Sequence, residues 1–392
     1  MFSSRLPRDL TPNPLTRGIA AHRASGRTLL DLTVTNPTSV GLEYPEDILA
    51  PLGIQGSCIY RPEPFGLMEA RTAVARDYQR RGTTVAPERI VLTASTSEAY
   101  SLLFKLLCDP GDAVLVPAPS YPLFDHLSSL DGVTPGTYDL DYDGRWMVDE
   151  HSVDSGWTDN TRAVLAVSPN NPTGSLLSPE DADLLEVRCA ARDAALIIDE
   201  VFIDYPLAPH APSAPSAPPA LPTPPSALTF RLGGLSKSAG LPQVKLGWFA
   251  VDGPDALVAE ALSRLEVVCD AYLSVSTPVQ VASAELIERG AVVRGQILER
   301  IRRNYATLQR TVAADTCAEL LHADAGWSAV LRILSKCDEE QLVLDLLDQH
   351  DLLVHPGYFF DFLYEGFVVL SLLPLPRDFD EGVSRLVQRL HG

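Results

Sequence analysis

Between about residues 87 and 250 the chain alternates short apolar runs with stretches of helical pattern. The runs Ile90–Leu92, Ala113–Val116, Ala163–Val167, Ala195–Ile198 and Leu246–Val251 are too short for helices. They are also too uniformly apolar for strands with one wet face, so they read as strands buried on both sides. Helical patterns fall near 97–108 and 178–193. The second has a defined start: Ser178 can cap it, Pro179 suits its first position and Asp181 stands where a capping box wants an acid. Strands that alternate with helices in this way predict an α/β fold, a mainly parallel sheet sandwiched by helices.

The pattern changes on either side of this region. Residues 278–312 read as one long helix, with Glu285, Glu288, Arg294, Glu299, Arg300, Arg302 and Arg303 on a solvated face. Beyond about 316 the order becomes strand (Ala329–Leu334), helix (338–350), strand (Leu352–Val354), strand (Phe367–Leu372) and helix (378–391), a smaller α+β unit. Residues 206–225 hold nine prolines in 20 residues and can continue neither a helix nor a sheet ladder. Because apolar strands of the same style resume after it, this segment reads as a surface insertion within the larger domain. The expected division is a large domain over 45–277, with the insertion at 206–225, and a small domain built from 1–44 and 278–392.

Composition removes several function classes. With 31 Lys and Arg against 51 Asp and Glu, the net charge is −20, a field that repels nucleic-acid backbones and anionic lipid. No run of 18 apolar residues occurs, and the start MFSSRLPRDLTPNP breaks into prolines where a signal peptide would be apolar, so a cytoplasmic protein is expected. Six cysteines are scattered without CxxC or Cys/His ligand spacing, which points to buried reduced thiols and to no metal site. Neither GxGxxG after a strand, GxxxxGK[ST], HExxH nor GxSxG is present.

The residues that carry chemistry fall at the ends of successive predicted strands, where open α/β sheets form ligand sites. Ser95, Thr96 and Ser97 open a helix after the first strand, offering backbone amides, hydroxyls and the positive end of the helix dipole to a phosphate. Tyr121 in PAPSYPLF offers a flat face for ring stacking, and Asn171 in SPNNPTG can donate to a phenolic oxygen. Asp199 in IIDEVF is an acid at a buried strand end that needs a cation, for which a protonated pyridine nitrogen is a suitable partner. Lys237, after Ser236 in GGLSKSAGLPQVKLGW, can form a Schiff base if its amine is desolvated. Each motif alone has a plainer reading as a turn, cap or strand end. Their joint order specifies a phosphorylated, aromatic, carbonyl-bearing cofactor.

In that order the chain resembles the fold type I pyridoxal-5′-phosphate (PLP) enzymes of the class I/II aminotransferase family. SPNNPTG, the DEVF strand end and the SK…KLGW segment carry the likeness, which extends through YRPEPFGLMEAR, DPGDAVLVPAPSYP and HPGYFFDF to nearly the whole chain. The resemblance implies a sheet of the seven-stranded type and a homodimer. Lys237 would bond the cofactor as an internal aldimine and move the proton between substrate and cofactor. Asp199, Asn171 and Tyr121 would hold the ring, Ser95, Thr96, Ser97, Ser236 and Lys245 the phosphate, and Tyr60 would reach the neighbouring subunit's phosphate. The implied partners are an amino acid and a 2-oxo acid.

Four positions depart from the family's pattern. Phe202 replaces a tyrosine that would donate to the phenolic oxygen, Lys245 replaces an arginine on the phosphate, and Gly234 lacks a phosphate-binding hydroxyl. Val369 in FVVLS stands where the family usually presents an arginine to clamp the substrate carboxylate, leaving Arg332 and Arg377 as candidates to replace it. An aminotransferase is the leading expectation. The alternatives are a lyase or decarboxylase on the same cofactor, and a non-catalytic PLP-binding protein. Asn36, Tyr272 and Phe360 are candidates for the pocket wall.

Overall fold

A computed structural model describes residues 2–208, 225–313, 315–335 and 338–391. Its strands in chain order are β1 Leu30–Asp31, β2 Ile90–Thr93, β3 Ala113–Ala118, β4 Thr134–Tyr142, β5 Trp146–Val148, β6 Thr161–Val167 and β7 Ala195–Asp199. They continue with β8 Thr229–Gly234, β9 Gly247–Asp252, β10 Ala318–Leu320, β11 Ser328–Ile333, β12 Leu352–Leu353, β13 His355–Pro356 and β14 Phe367–Ser371. All five apolar runs between 87 and 250 are strands of one sheet, ordered β2-β9-β8-β7-β6-β3-β4-β5. The interior pairs from β8 through β4 are parallel, and β9 runs antiparallel to both of its neighbours. The sheet has eight strands, because the short β5 folds back antiparallel along β4 and forms the edge.

The uniformly apolar runs have a direct cause. Along β7, Ala195 and Ile197 join Val114, Leu165, Phe230 and Leu103 on one face, whereas Leu196 and Ile198 join Leu115, Val164, Leu185 and Cys189 on the other. Both faces are covered by helices, so every position must be apolar. Each fully buried Leu or Ile in these layers contributes about 1.5–3 kcal/mol. The covering helix Pro179–Ala191 starts as its sequence predicts: Ser178 accepts from the amide of Asp181 at 3.0 Å, with Pro179 at the first position.

The smaller sheet, β10-β11-β14-β13, is antiparallel throughout. The predicted strand at Leu352–Val354 is shorter and lies elsewhere, with β12 pairing in parallel with β1 near the other end of the chain. The 36-residue helix Thr277–Val312 packs Val293, Ile297, Ile301 and Leu308 into the same apolar cluster as Val74, Leu353, Leu370 and Phe379. The expectation that its charges are merely solvated is corrected for the arginines. Arg294 donates to Ser238 O, Arg300 to Val40 O and Leu373 O, Arg302 to Pro206 O, and Arg303 pairs with Asp380. These long side chains satisfy carbonyls that would otherwise end loops unpaired.

Most of the proline-rich insertion, 209–224, lies outside the described residues. Its first residues are fixed: Pro206 bridges to Ala325, and the buried Leu207 donates its amide to Asp324 O at 2.9 Å. The expectation of uniformly buried thiols holds for Cys189 and Cys269 but not for the exposed Cys58 or the partly buried Cys108 and Cys317. Chain folding also brings Cys317 beside His391 and Asp315, three residues with no ligand spacing in sequence. Among the described residues no helix is long and apolar enough to cross a membrane.

Candidate active site

A cavity of about 240 Å³ opens at the carboxyl ends of β6 and β7, between the large sheet and the small one. It is lined by Thr96, Ser97, Tyr121, Asn171, Asp199 and Lys237 from the large sheet's loops, and by Trp327, Ser328, His355, Phe360, Val369 and Ser371 from the smaller unit. Six residues from five separate stretches of sequence therefore meet in one space.

Local structure explains each placement. The helix Thr96–Leu107 begins at the end of β2, capped by Ser95, whose hydroxyl accepts from the Glu98 amide at 3.2 Å while Glu98 reaches back to the Ala94 amide at 2.6 Å. Thr96 and Ser97 are thereby left at the open, positive end of the helix. Asn171 lies in a turn pinned to the small unit: the carbonyl of Gly174 accepts from the amides of both Asp324 and Ala325 at 2.9 Å. Gly174 is required there, since φ is +70° and a Cβ would come within 2.5 Å of Ala325 O. The same docking sets Ser328 against Asn171, whose Oδ1 accepts from the serine hydroxyl at 3.3 Å; Nδ2, the amide's donor, meets no partner among the described residues.

Asp199 closes β7 in the middle of the sheet, with Val167 and Leu232 as its neighbours in register. Burial pushes its carboxyl up to about 6, against hydrogen bonds from Tyr100 and the Val201 amide that pull it down. Lys237 stands on the one-turn helix Leu235–Ser238, whose backbone is anchored by the Tyr205 hydroxyl donating to Lys237 O. Its Nζ lies 5.0 Å from the centre of the Trp327 ring and 5.5 Å from that of Phe202. Burial lowers this amine to about 8, partly offset by the charge of Asp199. A buried amine poised near neutrality beside a buried acid is the arrangement of a nucleophile and proton carrier.

A model of the family described as "Aminotransferase class I and II" matches residues 35–385. The chain belongs to the class I and II aminotransferases. It is 28% identical over 382 residues to the glutamate-pyruvate aminotransferase AlaA of Haemophilus influenzae, covering 93% of this chain and 91% of that one. It is 29% identical over 392 residues to the alanine aminotransferase of Mycobacterium tuberculosis, covering 95% and 88%. The alanine aminotransferase structure from Pyrococcus furiosus superposes with a TM-score of 0.87 at 21% identity over the full length of both chains, a likeness of fold. The protein is an enzyme, an aminotransferase with the mainly parallel α/β architecture of that family.

Four of the expected site residues lie outside the wall of this aminotransferase cavity. Ser95 spends its hydroxyl as a helix cap, Ser236 is half-buried on the lysine's own helix, and Lys245 is exposed at a left-handed position before β9. Tyr60 is 74% exposed, in a separate cleft with Ser274, Thr277 and Gln280. A hydroxyl-bearing residue at Gly234 would crowd Leu246 O, which a Cβ would approach to 3.2 Å. Neither candidate arginine reaches the cavity: Arg332 pairs with Glu319, and Arg377 lies at the surface beside Asp378. Of the candidate wall residues, Phe360 lines the cavity, whereas Asn36 caps a turn and Tyr272 is exposed.

Sequence reasoning missed Tyr100, Trp327 and His355. Tyr100 sits one helical turn after Thr96, and that spacing alone could have drawn attention to it. Trp327 and His355 meet the site only through contacts between the two sheets.

Proposed function

We propose that this aminotransferase carries pyridoxal 5′-phosphate on Lys237 and moves an amino group between an amino acid and a 2-oxo acid. The observation that carries the reading is the buried Lys237 amine, lowered to about 8, sharing one cavity with the buried Asp199. The donor set fits the cofactor: a helix N-terminus with two hydroxyl residues for phosphate, an amide donor at Asn171, and a buried carboxylate for a pyridinium. When bound, the cofactor supplies an aldehyde that takes the amino group and a ring that accepts electrons from the α-carbon.

The chain's own residues divide the work. Asp199 would hold the proton on the ring nitrogen, its charge stabilised by Tyr100 and the Val201 amide. Thr96 and Ser97 would bind the phosphate, and the Tyr121 ring would stack on the cofactor's face. Phe202 offers no hydroxyl, so Asn171 would be the side-chain donor to the phenolic oxygen. With its pKa near 8, the Lys237 Nζ can accept a proton from the α-carbon at neutral pH and return it. Trp327 and Phe202 exclude water around that amine.

Ser95, Ser236 and Lys245 belong to the same reading as ligands of their own subunit's phosphate, and Tyr60 as a ligand of the neighbour's once two copies pair. Ile54, Ile59, Tyr60, Val267 and Tyr272 are exposed large apolar side chains, the kind a second copy would cover. In a homodimer Tyr60 would serve the neighbour's site. Borohydride reduction of the holoprotein followed by peptide mapping tests the anchor: the reading expects the cofactor on Lys237, and a label on another lysine, or none, overturns it.

A further inference from the structure

Resting on that proposed function, the geometry points to His355 as the residue that receives the substrate's carboxylate. Among the described residues no arginine lines the cavity, and the basic groups in its lining are Lys237 and His355. Lys237 is committed to the amino group, so His355 is the basic side chain left in this lining to pair with a carboxylate that enters the apolar space. His355 is directly opposite Val369 in the β13–β14 register, so both side chains leave the same face of the sheet, and both line the cavity. Its ring is fixed against Phe359 and Phe360, with centroids 6.0 and 5.7 Å away.

Three hydroxyls at this end are already engaged, whereas Trp327 Nε1 and the Thr35 hydroxyl meet no partner among the described residues and can add neutral hydrogen bonds but no charge. Ser371 donates to Val34 O at 2.6 Å, Thr33 donates to Asp31 Oδ1 at 2.5 Å, and Ser328 bonds Asn171 at 3.3 Å. Among the described residues no hydrogen-bond partner meets either His355 nitrogen. Burial holds the imidazole below its ordinary pKa, and Asp31 on β1 is the charged group that opposes this; the flanking Phe359, Phe360 and Val369 are neutral. The imidazole alone is thus uncharged at neutral pH, and it takes up a proton when a carboxylate pairs with it. The remaining wall, Leu123, Phe124, Leu127 and Phe360, suits an amino acid with one carboxylate and an apolar side chain.

Calorimetry on the holoprotein with 3-methylbutanoate, in two buffers of different ionisation enthalpy at pH 7.5, tests this inference. Wild type should take up close to one proton per carboxylate bound, and affinity should fall about tenfold per pH unit above neutrality. His355→Gln should bind about tenfold or more weakly at pH 6 and take up no proton. Failure of wild type to bind, binding without proton uptake, or uptake that persists in His355→Gln overturns the inference. The wild-type measurement decides even if the variant does not fold. Because this probe carries no amino group, proton uptake without any amino-acid-driven loss of the visible cofactor band would overturn the proposed function alone. Loss of the band without proton uptake would overturn the role of His355 alone.

Discussion

The hydroxyl of Tyr100 donates to Oδ2 of Asp199 at 2.6 Å, and the amide of Val201 donates to Oδ1 at 3.1 Å. Burial drives the Asp199 carboxyl up to about 6, and these two donors restrain it. Tyr100→Phe removes one restraint, so the carboxyl should rise further. The acid limb of the pH–rate profile is expected to move up by about one unit and kcat to fall about tenfold. An unmoved acid limb would show that the contact does not tune Asp199.

Freed of cofactor, the protein should show two opposed pH dependences of stability. Asp199 is raised from its ordinary value of 3.8 to about 6, so between these values the folded state binds the extra proton and stability falls as pH rises. Lys237 is lowered from 10.5 to about 8, so in that window the unfolded state binds more protons and stability rises with pH. Urea unfolding of the cofactor-free protein and of its Asp199→Asn and Lys237→Met variants should show each dependence disappear with its own residue. A slope unchanged in the matching variant would contradict the assignment.

Gly174→Ala should destabilise the protein by about 1–3 kcal/mol, through the left-handed φ and the clash with Ala325 O. Because the turn holds Asn171 against Ser328, cofactor affinity should fall with it. Thermal unfolding and cofactor titration check both; a normal melting temperature would mean the docked turn adapts.

Much of this was legible in the sequence, for a physical reason. Strands buried on both faces must be apolar at every position, so the runs at Ile90, Ala113, Ala163, Ala195 and Leu246 stood out, as did the site residues at their ends. The strand Thr134–Tyr142, next to the sheet's edge, escaped because it mixes exposed and buried positions without clean alternation, and Thr229–Gly234 because it carries Arg231 and two glycines. Arg231 is tolerated in the interior by its pair with Glu200 at 2.5 Å. Trp327 and His355 were hidden because nothing local marks them: each gains its place from packing against residues far away in the chain.

Subunit mixing tests the shared site. Tyr60→Phe and Lys237→Ala homodimers should each be impaired, whereas dimers re-formed from a mixture should regain one intact site and measurable activity. No recovery on mixing would place Tyr60 outside the neighbour's site.

On the proposed function, Lys237 and its cavity support amino transfer rather than elimination or decarboxylation. The most direct measurement is the visible cofactor band of the holoprotein as single amino acids are added, followed by a 2-oxo acid. An amino acid with one carboxylate and an apolar side chain should bleach the band, the 2-oxo acid should restore it, and Lys237→Ala should abolish the cycle. Release of ammonia or carbon dioxide without a 2-oxo acid, or a band that no amino acid alters, would contradict the proposed function.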